Sequence, residues 1–403
     1  MERQGGFGAL SKAHRYLLVD IFIVYFAMGT YLTLIGAELP LIKAEYQISY
    51  QVSGVMMSVQ AIGYLLCGAL VSIPARVLGA KKTYLMLGNL TFVGLMMIML
   101  SGNPIVLITA MLFTGISKGC GCYFGNQMTS NVSGDDAGLQ NLIQAFFAVG
   151  ACFAPLLAMV CGASWRFTFG ITVAIGVCGL LHGLKIQIGP EEYSTVSKQS
   201  DVRNPLEFMK KKVFWMCALI LLCYLAVESA VMGWLVTYFV DSGAADQSTA
   251  QLLATLLWAA LLIGRFISAW IARFFKPYQM LSVMTAGVTV CFTALMMSRT
   301  LILMSVSAMG LGLFLAGMYG TAVAGSDGLV EKYPMCMGMF IAIPGIGAIL
   351  SPGVIGTIAD YIGIRSGMMF LYLILAVLIF VTAWYALYMS GKRKSQEQEG
   401  KRC

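Results

Sequence analysis

The stretches "VGACFAPLLAMV" (Val149–Val160) and "IGAILSPGVIGTI" (Ile346–Ile358) are two versions of one segment. Each carries Gly-Ala, with a proline five residues after the glycine, and Gly347 follows Gly150 by 197 residues. The same interval separates Ala75-Arg76 from Ala272-Arg273. One interval kept at two distant places in a chain of 403 residues reads as an internal repeat of nearly half the chain.

Both copies lie inside long apolar blocks. The chain is 59% hydrophobic and only 11% charged, whereas soluble domains carry about 25% charged residues. Blocks longer than ~18 apolar residues read as membrane-spanning helices rather than core helices. Twelve spans are predicted near 16–39, 49–73, 83–101, 104–132, 139–163, 166–188, 213–240, 248–274, 278–298, 301–326, 335–360 and 366–390. The apolar run from Tyr16 is too long for a cleaved signal, so it counts as the first span.

The main polar break is "GPEEYSTVSKQSDVRNP" (Gly189–Pro205), followed by "KKK" at 210–212. It divides the chain into a six-helix half at 1–188, a linker at 189–212, a second six-helix half at 213–390 and a tail at 391–403. The fold class is therefore an all-α membrane protein of twelve transmembrane helices in two repeats. With both termini cytoplasmic, inner segments hold 20 Lys and Arg and outer segments 4, the asymmetry that sets membrane orientation. The predicted location is a bacterial inner (plasma) membrane, crossed many times. The sequons at Asn89 and Asn131 fall in a span and at its inner side, so neither suits glycosylation.

Other stretches carry a family resemblance. "PARVLGAKK" (Pro74–Lys82) resembles the loop 2–3 motif of the major facilitator superfamily. "WAALLIGRF" (Trp258–Phe266) and "SPGVIGTIADYIGIR" (Ser351–Arg365) resemble its eighth- and eleventh-helix signatures. With "ESAVMGWLVTY" (Glu228–Tyr238), the loop is most similar to the fucose:proton symporter branch. The resemblance implies two parallel six-helix repeats and a central cavity lined by helices 1, 4, 7 and 10. It also implies transport by alternating access. Two departures stand out. Arg76 occupies the region where the loop motif is usually acidic, and the branch's helix-4 acid meets Cys122 in "GCGCYFGN". The branch's helix-1 acid corresponds to Asp20, near the inner end of its span.

An ionisable group at the membrane centre costs about 3 kcal/mol on insertion scales, so it calls for a partner or a task. Glu228 and Lys118 are such groups, one per half, on helices 7 and 4. Glu228 reads as a coupling acid, with Tyr224 four residues earlier on the same helix face. The structural alternative is a permanently protonated packing residue. Lys118 binds an anionic solute or balances Glu228; the alternative is a snorkelling lysine on a helix close-packed through Gly115, Gly119, Gly121 and Gly125. Asn126 and Gln144 are candidate solute ligands or interhelical hydrogen-bonders. Arg76, Asp135, Arg265, Arg273 and Asp327 form a candidate inner gate of ion pairs, against a reading as ordinary solvated charge.

The function that follows is secondary active transport of a small polar organic solute, a sugar or organic anion, by proton-coupled symport. Sodium is the alternative coupling ion, and proton-driven efflux of amphiphiles is the alternative activity. No cofactor or metal is expected: "CGC" (Cys120–Cys122) reads as packing, because the chain holds only two histidines and no second cluster. His14 and His182 stand far apart in sequence with no paired acids or HxxxH, which argues against an enzyme. The formal charge of +8 lies in loops and tails rather than a nucleic-acid face. The expected partners are the solute and the bilayer, and the expected state is a monomer.

Overall fold

A computed structural model describes residues 12–133, 137–162, 164–185 and 207–400. Among these residues the regular structure is entirely helical, as lipid requires of a chain that must satisfy every backbone polar group within its own segment. Twelve helices are long and apolar enough to span a membrane. In the first half they are α1 (His14–Tyr46), α2 (Tyr50–Leu70), α3 (Ala80–Leu100), α4 (Pro104–Thr129), α5 (Leu142–Cys161) and α6 (Trp165–Lys185). The rest are α7 (Lys212–Asp241), α8 (Gln247–Ile271), α9 (Pro277–Met297), α10 (Leu301–Ala324), α11 (Met335–Ile362) and α12 (Ile364–Lys392).

Local chemistry explains several ends. Ser49 caps α2, its hydroxyl accepting from the Val52 N–H at 3.2 Å, and Thr300 caps α10 in the same way through Leu303 N. Asp246 stands immediately before α8, and its carbonyl accepts from Ala250 N at 2.9 Å. The first helix exceeds its predicted extent: it continues past residue 39 to Tyr46. Lys43 and Glu45 are therefore helical rather than part of a loop. The last helix likewise continues beyond its span, to Gly400.

The chain's contacts fall into two compact units. Unit 1 is Met1–Ser197 with Asp246–Thr255, and unit 2 is Lys198–Ala245 with Leu256–Cys403. In unit 1, α1 packs along α5 and α2 along α4. In unit 2, α7 packs along α11, and α9 meets α10 and α12.

The repeat has a physical counterpart in these packings. At Gly115 of α4, any Cβ would overlap the Gln60 carbonyl oxygen of α2. At Gly312 of α10, any Cβ would overlap the Leu257 carbonyl oxygen of α8. Gly312 and Leu257 follow Gly115 and Gln60 by the same 197 residues. The two halves thus repeat one close backbone crossing, which small residues permit.

Candidate functional site

The spacing of Tyr224 and Glu228 works as the helical period requires. Both stand in the middle of α7, and the Tyr224 hydroxyl donates to Glu228 Oε1 at 2.7 Å. Tyr224 is buried and Glu228 half-buried. Around them α7 is fastened to α11. Ser351 Oγ donates to the Ala226 carbonyl at 2.7 Å and lies 3.2 Å from Ser229 Oγ. The indole of Trp234 donates to the Pro352 carbonyl at 3.3 Å. These contacts fix the rotation of α7 and hence the direction of its carboxylate. Arg265 of α8 and Tyr319 of α10 act electrostatically on Tyr224. Arg265 is half-buried within its span and acts on the α7 phenol, apart from the exposed gate candidates.

In unit 1, Lys118 is half-buried and its ammonium sits over the Tyr64 ring, 4.6 Å from the centroid. A cation held on an aromatic face keeps its charge without a carboxylate, and no carboxylate of unit 1 pairs with it among the described residues. Asn126 is exposed and accepts a hydrogen bond from the buried Tyr25 hydroxyl at 3.0 Å. Gln144 is half-buried on α5.

Asp20 is fully buried. The Tyr84 hydroxyl donates to its Oδ2 at 2.7 Å, and His182 Nδ1 lies 3.2 Å from its Oδ1. Asp20 lines a cavity inside unit 1 between α1, α3, α4 and α6, together with Tyr31, Tyr84, Asn89, Ser117 and Thr172.

The remaining gate candidates are dispersed. Arg76 is exposed on a short helix, Ser72–Leu78, beyond α2, and Arg273 is exposed beyond the end of α8. Asp327 is exposed at a positive φ and pairs with Lys392 of α12. Asp135 lies outside the described residues.

Three groups escaped the sequence reading. Glu38 is fully buried, with Thr168 Oγ1 donating to its Oε1 at 2.9 Å. Gln247 and Gln251, in the first turns of α8, donate to the Ala37 carbonyl beside it at 3.0 and 3.3 Å. Glu45 receives the Trp165 indole N–H at 2.6 Å and the Arg166 guanidinium at 2.5 Å. His182, noted in the sequence only for its distance from His14, partners Asp20. The acids of α1 carried one visible signal, carboxylates spaced along an apolar run. Most of their partners lie more than a hundred residues away.

Comparison with known proteins agrees with this architecture. Residues 21–330 match the Major Facilitator Superfamily. A TsgA homolog protein of Erwinia tasmaniensis is 22% identical over 356 residues, covering 86% of this chain and 89% of its own. The crystal structure of the nucleoside transporter NupG superposes with a TM-score of 0.77 at 15% identity, covering 93% of this chain and 99% of that one. The E. coli fucose:proton symporter FucP superposes with a TM-score of 0.59 at 17% identity, covering 93% and 99%. These likenesses establish a shared fold. With twelve spanning helices and a family match over most of its length, the chain is a multi-pass membrane protein of the Major Facilitator Superfamily, a family of transporters.

Proposed function

We propose that this protein is a proton-coupled symporter of a small polar organic solute, working by alternating access, and that Glu228 is its coupling acid. The observation that carries this reading is the Glu228–Tyr224 pair at the centre of an apolar helix, with Arg265 acting on the same phenol. A carboxylate there can take or release a proton only if the surrounding groups accommodate both states. The phenol donates to the charged form, and its oxygen accepts from the neutral form. A cation nearby gives the ionised acid a counter-charge.

The solute class follows from the polar groups present and from the similar proteins. In unit 2, Tyr224 offers a hydroxyl suited to a sugar or nucleoside; in unit 1, Asn126 and Gln144 offer amides, and Lys118 offers a cation for an anionic substituent. The superposed structures are those of a nucleoside transporter and a fucose:proton symporter, which supports a hydroxyl-rich solute. The excess of Lys and Arg in alternate loops supports cytoplasmic termini in a bacterial inner membrane.

The test is uptake into proteoliposomes under an imposed pH or sodium gradient, using a panel of sugars, nucleosides and organic anions. The proposal predicts accumulation of at least one member driven by the pH gradient. Accumulation driven by sodium alone would replace the proton, and export of amphiphilic cations alone would overturn the proposal.

A further inference from the structure

One buried acid that the Glu228 reading leaves unused is Asp20. It lies in unit 1, on α1, and its hydrogen-bond partners among the described residues belong to unit 1. Tyr84 of α3 binds one carboxylate oxygen and His182 of α6 meets the other. From α4, the titratable groups in this region are the Cys120 and Cys122 thiols, both acting on Tyr31; the Cys120 sulfur lies 3.9 Å from the Thr83 and Tyr84 carbonyls. From α1 itself, the Tyr16 ring stacks on His182 with centroids 5.5 Å apart. Lys81 of α3 is directed elsewhere, its ammonium donating to the Leu184 carbonyl at 2.8 Å.

Exposure is graded across this cluster. The His182 side chain is 22% exposed and the Asp20 side chain 1%. Beyond Asp20 is the cavity of unit 1, large enough for several water molecules. Along it lie Tyr84, Asn89, Thr91, Ser117, Thr172 and Tyr31. The Thr91 and Ser117 hydroxyls are grouped with the Tyr31 phenol at the far end. There the Tyr31 hydroxyl also donates to the Thr114 carbonyl at 3.4 Å. A cavity of that size with several polar walls is the setting in which ordered water belongs.

We propose that His182 and Asp20 form the mouth of a water-lined proton path running inside the first six-helix half toward Tyr31, Thr91 and Ser117. The proton balance is simple. Solvent protonates His182 at Nε2, and the imidazolium gives the proton on Nδ1 to Asp20 Oδ1. That leaves neutral Asp20 and a neutral imidazole protonated at Nε2. Asp20 then passes its proton to cavity water and returns to the carboxylate held by Tyr84, while His182 resets by exchange with solvent. His182 is the entry group by position, because it is the solvent-facing member of the pair. The path does not depend on Glu228.

Infrared difference spectroscopy of the full chain in bilayers, between pH 5 and 8 in a Glu228→Gln background, tests this directly. We expect a carboxyl signal that Asp20→Asn removes and His182→Gln keeps. In His182→Gln, hydrogen–deuterium exchange at that carboxyl should slow by on the order of a hundredfold, the loss of a positioned proton-transfer group. Asparagine preserves the shape and can still accept from Tyr84. Should Asp20→Asn fail to fold, the exchange rate in His182→Gln, at a partly exposed position, decides alone. A carboxyl signal untouched by Asp20→Asn, or exchange unchanged in His182→Gln, overturns the proposal. Because Glu228 is already neutralised, either result leaves the symport reading to its own test.

Discussion

Tyr224 and Glu228 are one helical turn apart on α7, and the phenol donates to the carboxylate at 2.7 Å. The pair is held in orientation by Ser351 and Trp234, whose hydrogen bonds join α7 and α11. Removing the phenol oxygen leaves the ring to fill its space. Tyr224→Phe should therefore fold normally and slow gradient-driven uptake by roughly tenfold or more, the worth of a hydrogen bond to a charged group. Initial rates under an imposed pH gradient, beside an unchanged thermal midpoint, check this.

The repeated glycine crossing makes a prediction about stability. Gly115→Ala and Gly312→Ala each force a methyl group into a facing carbonyl oxygen, so each should cost about 1–3 kcal/mol. Gly68→Ala, at a position with open space around it, should be neutral or slightly stabilising. Thermal unfolding of the three variants in one detergent separates packing from propensity.

Lys118 over Tyr64 separates two roles for one cation. Lys118→Met should weaken binding of anionic solutes by about 1.5–3 kcal/mol while sparing neutral ones. Tyr64→Leu should cost about 0.5–2 kcal/mol, because it removes the face that holds the ammonium. Equal losses for neutral and anionic solutes in Lys118→Met would assign the lysine to structure.

Asp246 illustrates a charge outside the spans. Its hydrogen bond with the Thr249 side chain, aided by backbone N–H groups at the start of α8, holds its carboxyl below the ordinary value. A depressed native pKa gives stability that is present above the unfolded pKa and lost as the pH falls through the native one. The capping contribution should therefore be constant at neutral pH and fade only in the acid range below the ordinary aspartate value of 3.8. Asp246→Asn, a good cap without the charge, should remove that dependence while keeping the helix start.

What the sequence revealed and what it withheld follow one physical division. Lipid makes long apolar runs into helices, so the spans and the 197-residue repeat were legible from pattern alone. The Tyr224–Glu228 pair was legible because an i, i+4 spacing fixes its geometry once the helix is known. Asp20 was visible as an acid in an apolar run, but its partners Tyr84 and His182 lie 64 and 162 residues away. Nothing local announces such a pairing. The first span is read too short because Lys43 and Glu45 look like loop charges. Trp165 and Arg166 hold Glu45, and Thr168 holds Glu38 inside the span, from 120 to 130 residues away.

The central claim is that Glu228 carries the coupled proton, and Glu228→Gln in proteoliposomes tests it most directly. Glutamine keeps the shape and the hydrogen bond with Tyr224 but cannot titrate. The account predicts that solute exchange between equal concentrations on the two sides persists, while accumulation driven by a pH gradient disappears. Full pH-driven accumulation by Glu228→Gln would contradict it.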